Sequence, residues 1–72
     1  MPRLPRLNSR ELIRALERLG FVQVRQRGSH LVLQRGPATC VVPQGRDLRL
    51  GTLAGVLDQA EVSVDELLAA LR

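Results

Sequence analysis

The chain has no lysine, tryptophan or tyrosine, and only one phenylalanine, one histidine and one cysteine. Each scarcity excludes something. With Phe21 as the sole aromatic residue, there is no base-stacking platform of the kind that single-strand binders use. Cys40 is alone, which leaves neither an internal disulfide nor a thiolate cluster. A single histidine, His30, makes zinc ligation dependent on carboxylates, so no metal is expected, and the chain is too small to enclose a cofactor. The longest apolar run, Leu67–Leu71, falls far short of the roughly 20 residues that cross a bilayer. Met1–Leu7 is too short and too rich in proline to hold the apolar core of a secretion signal. The expectation is a cytoplasmic protein without membrane contact.

What remains is small, basic and foldable. The chain has 72 residues, 44% hydrophobic and 25% charged, which suits one globular domain over residues 1–72. A domain of that size buries only about 60% of its unfolded surface, so a function must use few residues at the surface. The net charge is +4, and all 11 cations are arginine. Arginine offers a planar, permanently charged fork that matches phosphate oxygens in pairs, which points to a polyanionic partner.

Met1–Leu7 carries Pro2 and Pro5 and reads as an extended basic leader. Asn8 with Glu11 three residues later forms a capping box, Leu12, Ile13, Leu16 and Leu19 recur at helical spacing, and Gly20 supplies the stop. A helix over about 9–19 follows. Three short alternating segments come next, around Val22–Arg25, His30–Gln34 and Thr39–Val42.

Pairing the three as a meander predicts Arg25 opposite His30, Val24 opposite Leu31 and Val22 opposite Leu33. It also predicts Arg35 opposite Ala38, Leu33 opposite Cys40 and Leu31 opposite Val42. One face is then apolar. The other holds Gln23, Arg25, His30, Val32, Gln34, Thr39 and Val41. A polar loop over 44–50 leads to a second helix opening at Gly51-Thr52. Ser63 and Glu66 form another capping box, with Val62 and Leu67 as a hydrophobic staple before a short third helix. The order α-β-β-β-α-α, with helices on one face of an antiparallel sheet, is an α+β two-layer domain.

The uncovered sheet face is where chemistry is expected. Histidine ordinarily titrates near neutrality, and fixed cations beside it hold phosphate, a combination that suits RNA cleavage. RNA brings its own nucleophile, the 2′-hydroxyl, so a protein needs only to move a proton and neutralise the phosphorane oxygens. His30 is the candidate general base or acid, and Arg25, Arg27 and Arg35 are the candidate phosphate contacts. Gly28 and Ser29, in the turn before His30, complete the RNA-binding set. A Ser/His/Asp hydrolase does not fit, because Ser29 and His30 are adjacent and project to opposite sides of a strand. Three other readings stay open. The same face can serve a non-catalytic RNA-binding module. Val32 and Val41 beside a basic rim can receive an acidic protein. Residues 51–71 can be read as a DNA-binding helix-turn-helix, against which Asp65 and Glu66 stand at the start of its recognition helix.

One set of residues resembles a known family. Gly20-Phe21-Val22, Arg25-Gln26-Arg27-Gly28-Ser29-His30, Val41-Val42-Pro43, and Gly51-Thr52-Leu53 with Val56-Leu57 and Gln59-Ala60 resemble the HicA (YcfA-like) toxins, in order, over about residues 9–68. The resemblance implies a double-stranded-RNA-binding-domain-like fold and a metal-independent mRNA interferase of a toxin–antitoxin pair. It implies a HicB-type antitoxin partner that covers the active face. The family's catalytic histidine, in Gly-Ser-His, falls on His30. Two departures stand out: many members have a second histidine where this chain has Gln44, and a glycine where it has Glu61.

Overall fold

The computed structural model describes residues 3–72; the Met1–Pro2 part of the leader lies outside them. The order of elements is α1 (Ser9–Arg18), β1 (Val22–Arg27), β2 (His30–Arg35), β3 (Ala38–Pro43), α2 (Leu50–Ala60) and α3 (Val64–Ala70). The three strands form one antiparallel sheet in the order β1-β2-β3. The α-β-β-β-α-α layout expected from the sequence is therefore the observed one.

Local chemistry fixes the helix ends. The Glu11 N–H donates to Asn8 Oδ1 at 2.9 Å, and the Asn8 N–H donates to Glu11 Oε1 at 3.0 Å, which closes the capping box of α1. Ser63 and Glu66 do the same for α3 at 2.9 and 3.1 Å. Helix α2 begins after Arg49, which lends no side-chain cap, and is capped at its end by Glu61 in the left-handed conformation (φ 58°, ψ 40°). Glu61 thus holds the backbone shape that a glycine adopts without strain, and the chain turns between α2 and α3 as it would with one.

The core joins Leu12, Ala15 and Leu16 of α1 to Leu31, Leu33, Cys40 and Val42 of the sheet and to Leu53, Val56, Leu57 and Leu67 of the last two helices. Leu7 and the half-buried Leu4 extend it, so the end of the leader packs on the domain. The Leu48 N–H donates to the Leu7 carbonyl at 2.8 Å, and Asn8 bridges Asp47. Ser9 is buried, and its hydroxyl lies against the carbonyls of Pro43 and Arg46. Its own N–H donates to Arg46 O at 2.9 Å. A buried hydroxyl must find such partners, and here they staple the 44–48 loop to the start of α1.

The β2–β3 register is the expected one: Leu31 faces Val42, Leu33 faces Cys40 and Arg35 faces Ala38. The Gly36-Pro37 turn closes it with Gly36 at φ 56°. A positive φ at the first turn residue and a negative one at the second describe a type II′ hairpin, whose second position accommodates proline.

The β1–β2 register differs from the expectation. Arg27, not Arg25, faces His30; Arg25 faces Val32 and Gln26 faces Leu31. The cause is the turn. Gly28, at φ 57°, allows a two-residue connection through Ser29, where the alternation pattern alone suggested four residues. A slip of two residues keeps every side chain on its expected face, so Arg25 and Arg27 stay with His30. An irregularity between Gln23 and Arg25 then reverses the parity. Gln23 faces Leu33 on the helix side, and Val22 faces Gln34 on the open side. Val22 and Val24 are not core residues: they are 63% and 49% exposed, and all six residues of β1 are exposed. The helices pack chiefly on β3 and each other, leaving β1 beyond their cover.

Candidate functional site

The site is built around a tight turn. Gly28 and Ser29 reverse the chain, and His30 is the first residue of β2 after them, exposed. Arg27 lies opposite His30 on β1, and Pro43 lies opposite it on β3. Paired residues share a sheet face with Cα atoms about 4.5–5.5 Å apart, so Arg27 and the imidazole are neighbours on the open face. Arg25, two residues back, projects to that same side. Both guanidinium groups are exposed.

Two hydrogen bonds hold the turn. Gln26 Nε2 donates to the Gly28 carbonyl at 3.1 Å. The Gln44 N–H donates to the Ser29 carbonyl at 2.6 Å, tying the turn to the end of β3. Ser29 therefore serves the site first through its backbone. The second bond also puts residue 44 beside the histidine turn, where continuing the expected β2–β3 register by two residues past Leu31–Val42 leads.

Arg35 is elsewhere. It ends the strand that His30 begins, which at about 3.4 Å per residue places it roughly 17 Å away. It also alternates with Leu31 and Leu33 and so faces the helices. Its Nη1 donates to the Leu19 carbonyl at 2.9 Å, and its guanidinium stands 4.7 Å from the centroid of the Phe21 ring. Arg35 is corrected from a phosphate contact to a clamp on the end of α1. Val32 is corrected likewise: it is only 8% exposed on the central strand, and Val41 is half-buried. The exposed valines are Val22 and Val24.

Around the end of the sheet lies a groove of about 780 Å³ between α1, the 44–47 loop and Gln23. Arg10, Arg14 and Arg46 line it. The positions of Arg10 and Arg14, four apart and off the buried Leu12–Ala15–Leu16 stripe, were readable as an exposed cationic face from spacing alone. Among the described residues no three histidine, cysteine, aspartate or glutamate side chains gather into a metal-binding group. Cys40 is buried, and burial pushes its thiol up to about 11, which keeps it protonated and unreactive at neutral pH. No helix among the described residues is long and apolar enough to cross a membrane.

Comparison with curated proteins finds none that matches. The family model described as the HicA toxin of bacterial toxin–antitoxin systems matches residues 9–62, a stretch that starts at the first residue of α1 and holds all three strands, the histidine turn and the whole of α2. Covering three quarters of the 72 residues, that match shows that the chain belongs to the HicA toxin family.

Proposed function

We propose that this toxin is a metal-independent endoribonuclease that cleaves messenger RNA at His30. The observation that carries the reading is the pairing of an exposed His30 with Arg27 across the sheet, with Arg25 on the same face. A ribose-phosphate strand laid along that face brings a phosphate to the guanidinium groups and its 2′-hydroxyl to the imidazole. His30 acting as base takes the 2′-hydroxyl proton as the oxygen attacks phosphorus. The bond from phosphorus to the 5′ oxygen breaks, and that oxygen takes a proton from water. The products are a 2′,3′-cyclic phosphate and a free 5′-hydroxyl. Arg25 and Arg27 neutralise the charge that develops on the phosphorane oxygens. Gly28 gives the backbone shape that puts His30 at the strand start, and Ser29 fixes the turn through its carbonyl.

The substrate places the protein in the cytoplasm. A protein antitoxin of the HicB type would silence it by covering the same face, where arginines without a core to cover invite acidic side chains. The non-catalytic RNA-binding reading draws support from Gln44, which stands where many family members have a second histidine. Inducible expression of the wild type and of His30→Ala separates the two. The enzyme predicts growth arrest with fragmented transcripts for the wild type alone, and RNA binding retained by the variant. General acid–base catalysis typically contributes about 10²–10⁴-fold, so purified His30→Ala should cleave RNA slower by that factor. Equal cleavage by parent and variant would remove His30 from the chemistry.

A further inference from the structure

The groove beside the histidine turn has no role in the proposed cleavage. Among the described residues it is larger than the concavity beside Arg6 and Leu48, and its lining is mostly polar, with Arg10 and Arg14 from α1, Arg46 and Gln44 from the loop, and Gln23 from β1. Its charge is graded along α1. Glu17, which accepts from Gln23 Nε2 at 3.2 Å, lies seven residues past Arg10, about 10 Å along the helix axis. The groove as a whole gathers three guanidinium groups, Arg10, Arg14 and Arg46, against two carboxylates, Glu17 and Asp47, and its Arg10 end is the one farther from Glu17.

That cationic end is the one that meets the His30 turn. Ser9, next to Arg10, is bonded to the carbonyls of Pro43 and Arg46. Pro43 faces His30 on the sheet, and Gln44, which lines the groove, is bonded to Ser29. One continuous stretch of backbone, residues 43–46, thus runs from the imidazole to the arginines of the groove.

We propose that this groove is a second RNA-binding subsite, which holds the single-stranded flank of the substrate as it leaves His30 around the end of the sheet. The inference rests on the ribonuclease reading and adds the path of the chain. Arg10, Arg14 and Arg46 grip phosphates, and Gln44 at the junction presents an amide to the sugar or base next to the scissile phosphate. An acidic protein segment is the competing occupant. It is disfavoured because the wall offers amides and carboxylates with its arginines and only one half-buried aliphatic side chain, Ile13, where protein interfaces need an apolar centre.

The test uses the full chain carrying His30→Ala, so that binding is read without cleavage. The probes are a fluorescein-labelled 12-nucleotide RNA and a 3-nucleotide RNA of the same sequence, titrated by anisotropy at several salt concentrations. Adding Arg10→Gln and Arg14→Gln should weaken the 12-mer about tenfold. It should lower its log–log salt slope by about 1.4, at roughly 0.7 per lost phosphate contact, and leave the 3-mer unchanged. Adding Arg25→Gln and Arg27→Gln instead should weaken both probes. A 12-mer unaffected by the α1 substitutions but weakened by the β1 pair overturns the groove and keeps the ribonuclease reading. If the α1 variant meanwhile loses capture of an acidic partner, the groove is a protein site. No binding of either probe by the His30→Ala parent overturns both readings. Circular dichroism confirms that the variants are folded, as glutamine on an exposed helix face requires.

Discussion

Arg35 clamps the end of α1, and substituting it tests that role at the bench. Replacing it with glutamine removes the 2.9 Å hydrogen bond to the Leu19 carbonyl at the end of α1 and the cation 4.7 Å above the Phe21 ring. A hydrogen bond from a charged donor contributes about 1.5 kcal/mol and a partly exposed cation–π contact about 0.5–1 kcal/mol. The two sum to about 2–2.5 kcal/mol, and because Arg35 is only half-buried, solvent screening reduces this to about 1.5–2 kcal/mol. For a domain of this length 1 kcal/mol corresponds to about 4–8 °C in Tm, so Arg35→Gln should melt roughly 6–16 °C lower. Thermal circular dichroism measures the loss. Anisotropy with the His30→Ala background at 25 °C, where the variant is still folded, measures RNA affinity, which should not change. A variant that melts like the parent but binds RNA more weakly would return Arg35 to the phosphate site and break the assignment of the two sheet faces.

Much of this fold was legible in the sequence because its signals are local. The capping boxes at Asn8 and Ser63 depend on residues three apart, and both form with both of their hydrogen bonds. The β2–β3 register followed from alternation because both strands lie under helices, where a slip would move Leu31, Leu33, Cys40 and Val42 out of the core. Alternation failed on β1 for the complementary reason. No helix covers that strand, so Val22 and Val24 gain nothing from facing inward, and the turn at Gly28 sets the pairing instead. Arg25, Arg27 and His30 stay on one face because the slip is by two residues. Arg35 was misplaced by neglect of parity: it shares the phase of Leu31 and Leu33, which the pattern already showed. The docking of the 44–46 loop on α1 was beyond reach, since it depends on Ser9 finding its partners 34 and 37 residues away.

Three further outcomes follow from the observed geometry. Glu61 spends the roughly 1–2 kcal/mol that a left-handed conformation costs a residue with a Cβ, while glycine there loses about 0.5–1 kcal/mol through its more flexible unfolded chain. Glu61→Gly should therefore stabilise the domain by about 0.5–1 kcal/mol in urea melts, and destabilisation would refute the strain. Cys40, buried with its thiol raised to about 11, should resist iodoacetamide at pH 8 until urea unfolds the chain, and rapid labelling of the native protein would contradict its burial. The last outcome concerns acid. The Ser63 backbone N–H and then its hydroxyl hold the Glu66 carboxyl below its usual value of 4.5, with a smaller pull from Arg35. A carboxylate whose pKa is lower folded than unfolded binds fewer protons in the native state, so it favours folding above the unfolded value and loses that effect as pH falls through the folded one. Glu66→Gln should thus melt below the parent at pH 7, and the gap should narrow as pH drops below about 4.5, where the parent carboxyl is protonated as well. Because the pull of Arg35 is the smallest of the favourable influences, Arg35→Gln should preserve most of that narrowing, whereas Ser63→Ala, which removes the hydroxyl but keeps the backbone N–H to Glu66 Oε1, should reduce it further without abolishing it. A gap between parent and Glu66→Gln that is the same at pH 7 and pH 3 would mean that the charge of Glu66 contributes nothing to the cap, and that α3 is held by Leu67 and its packing alone.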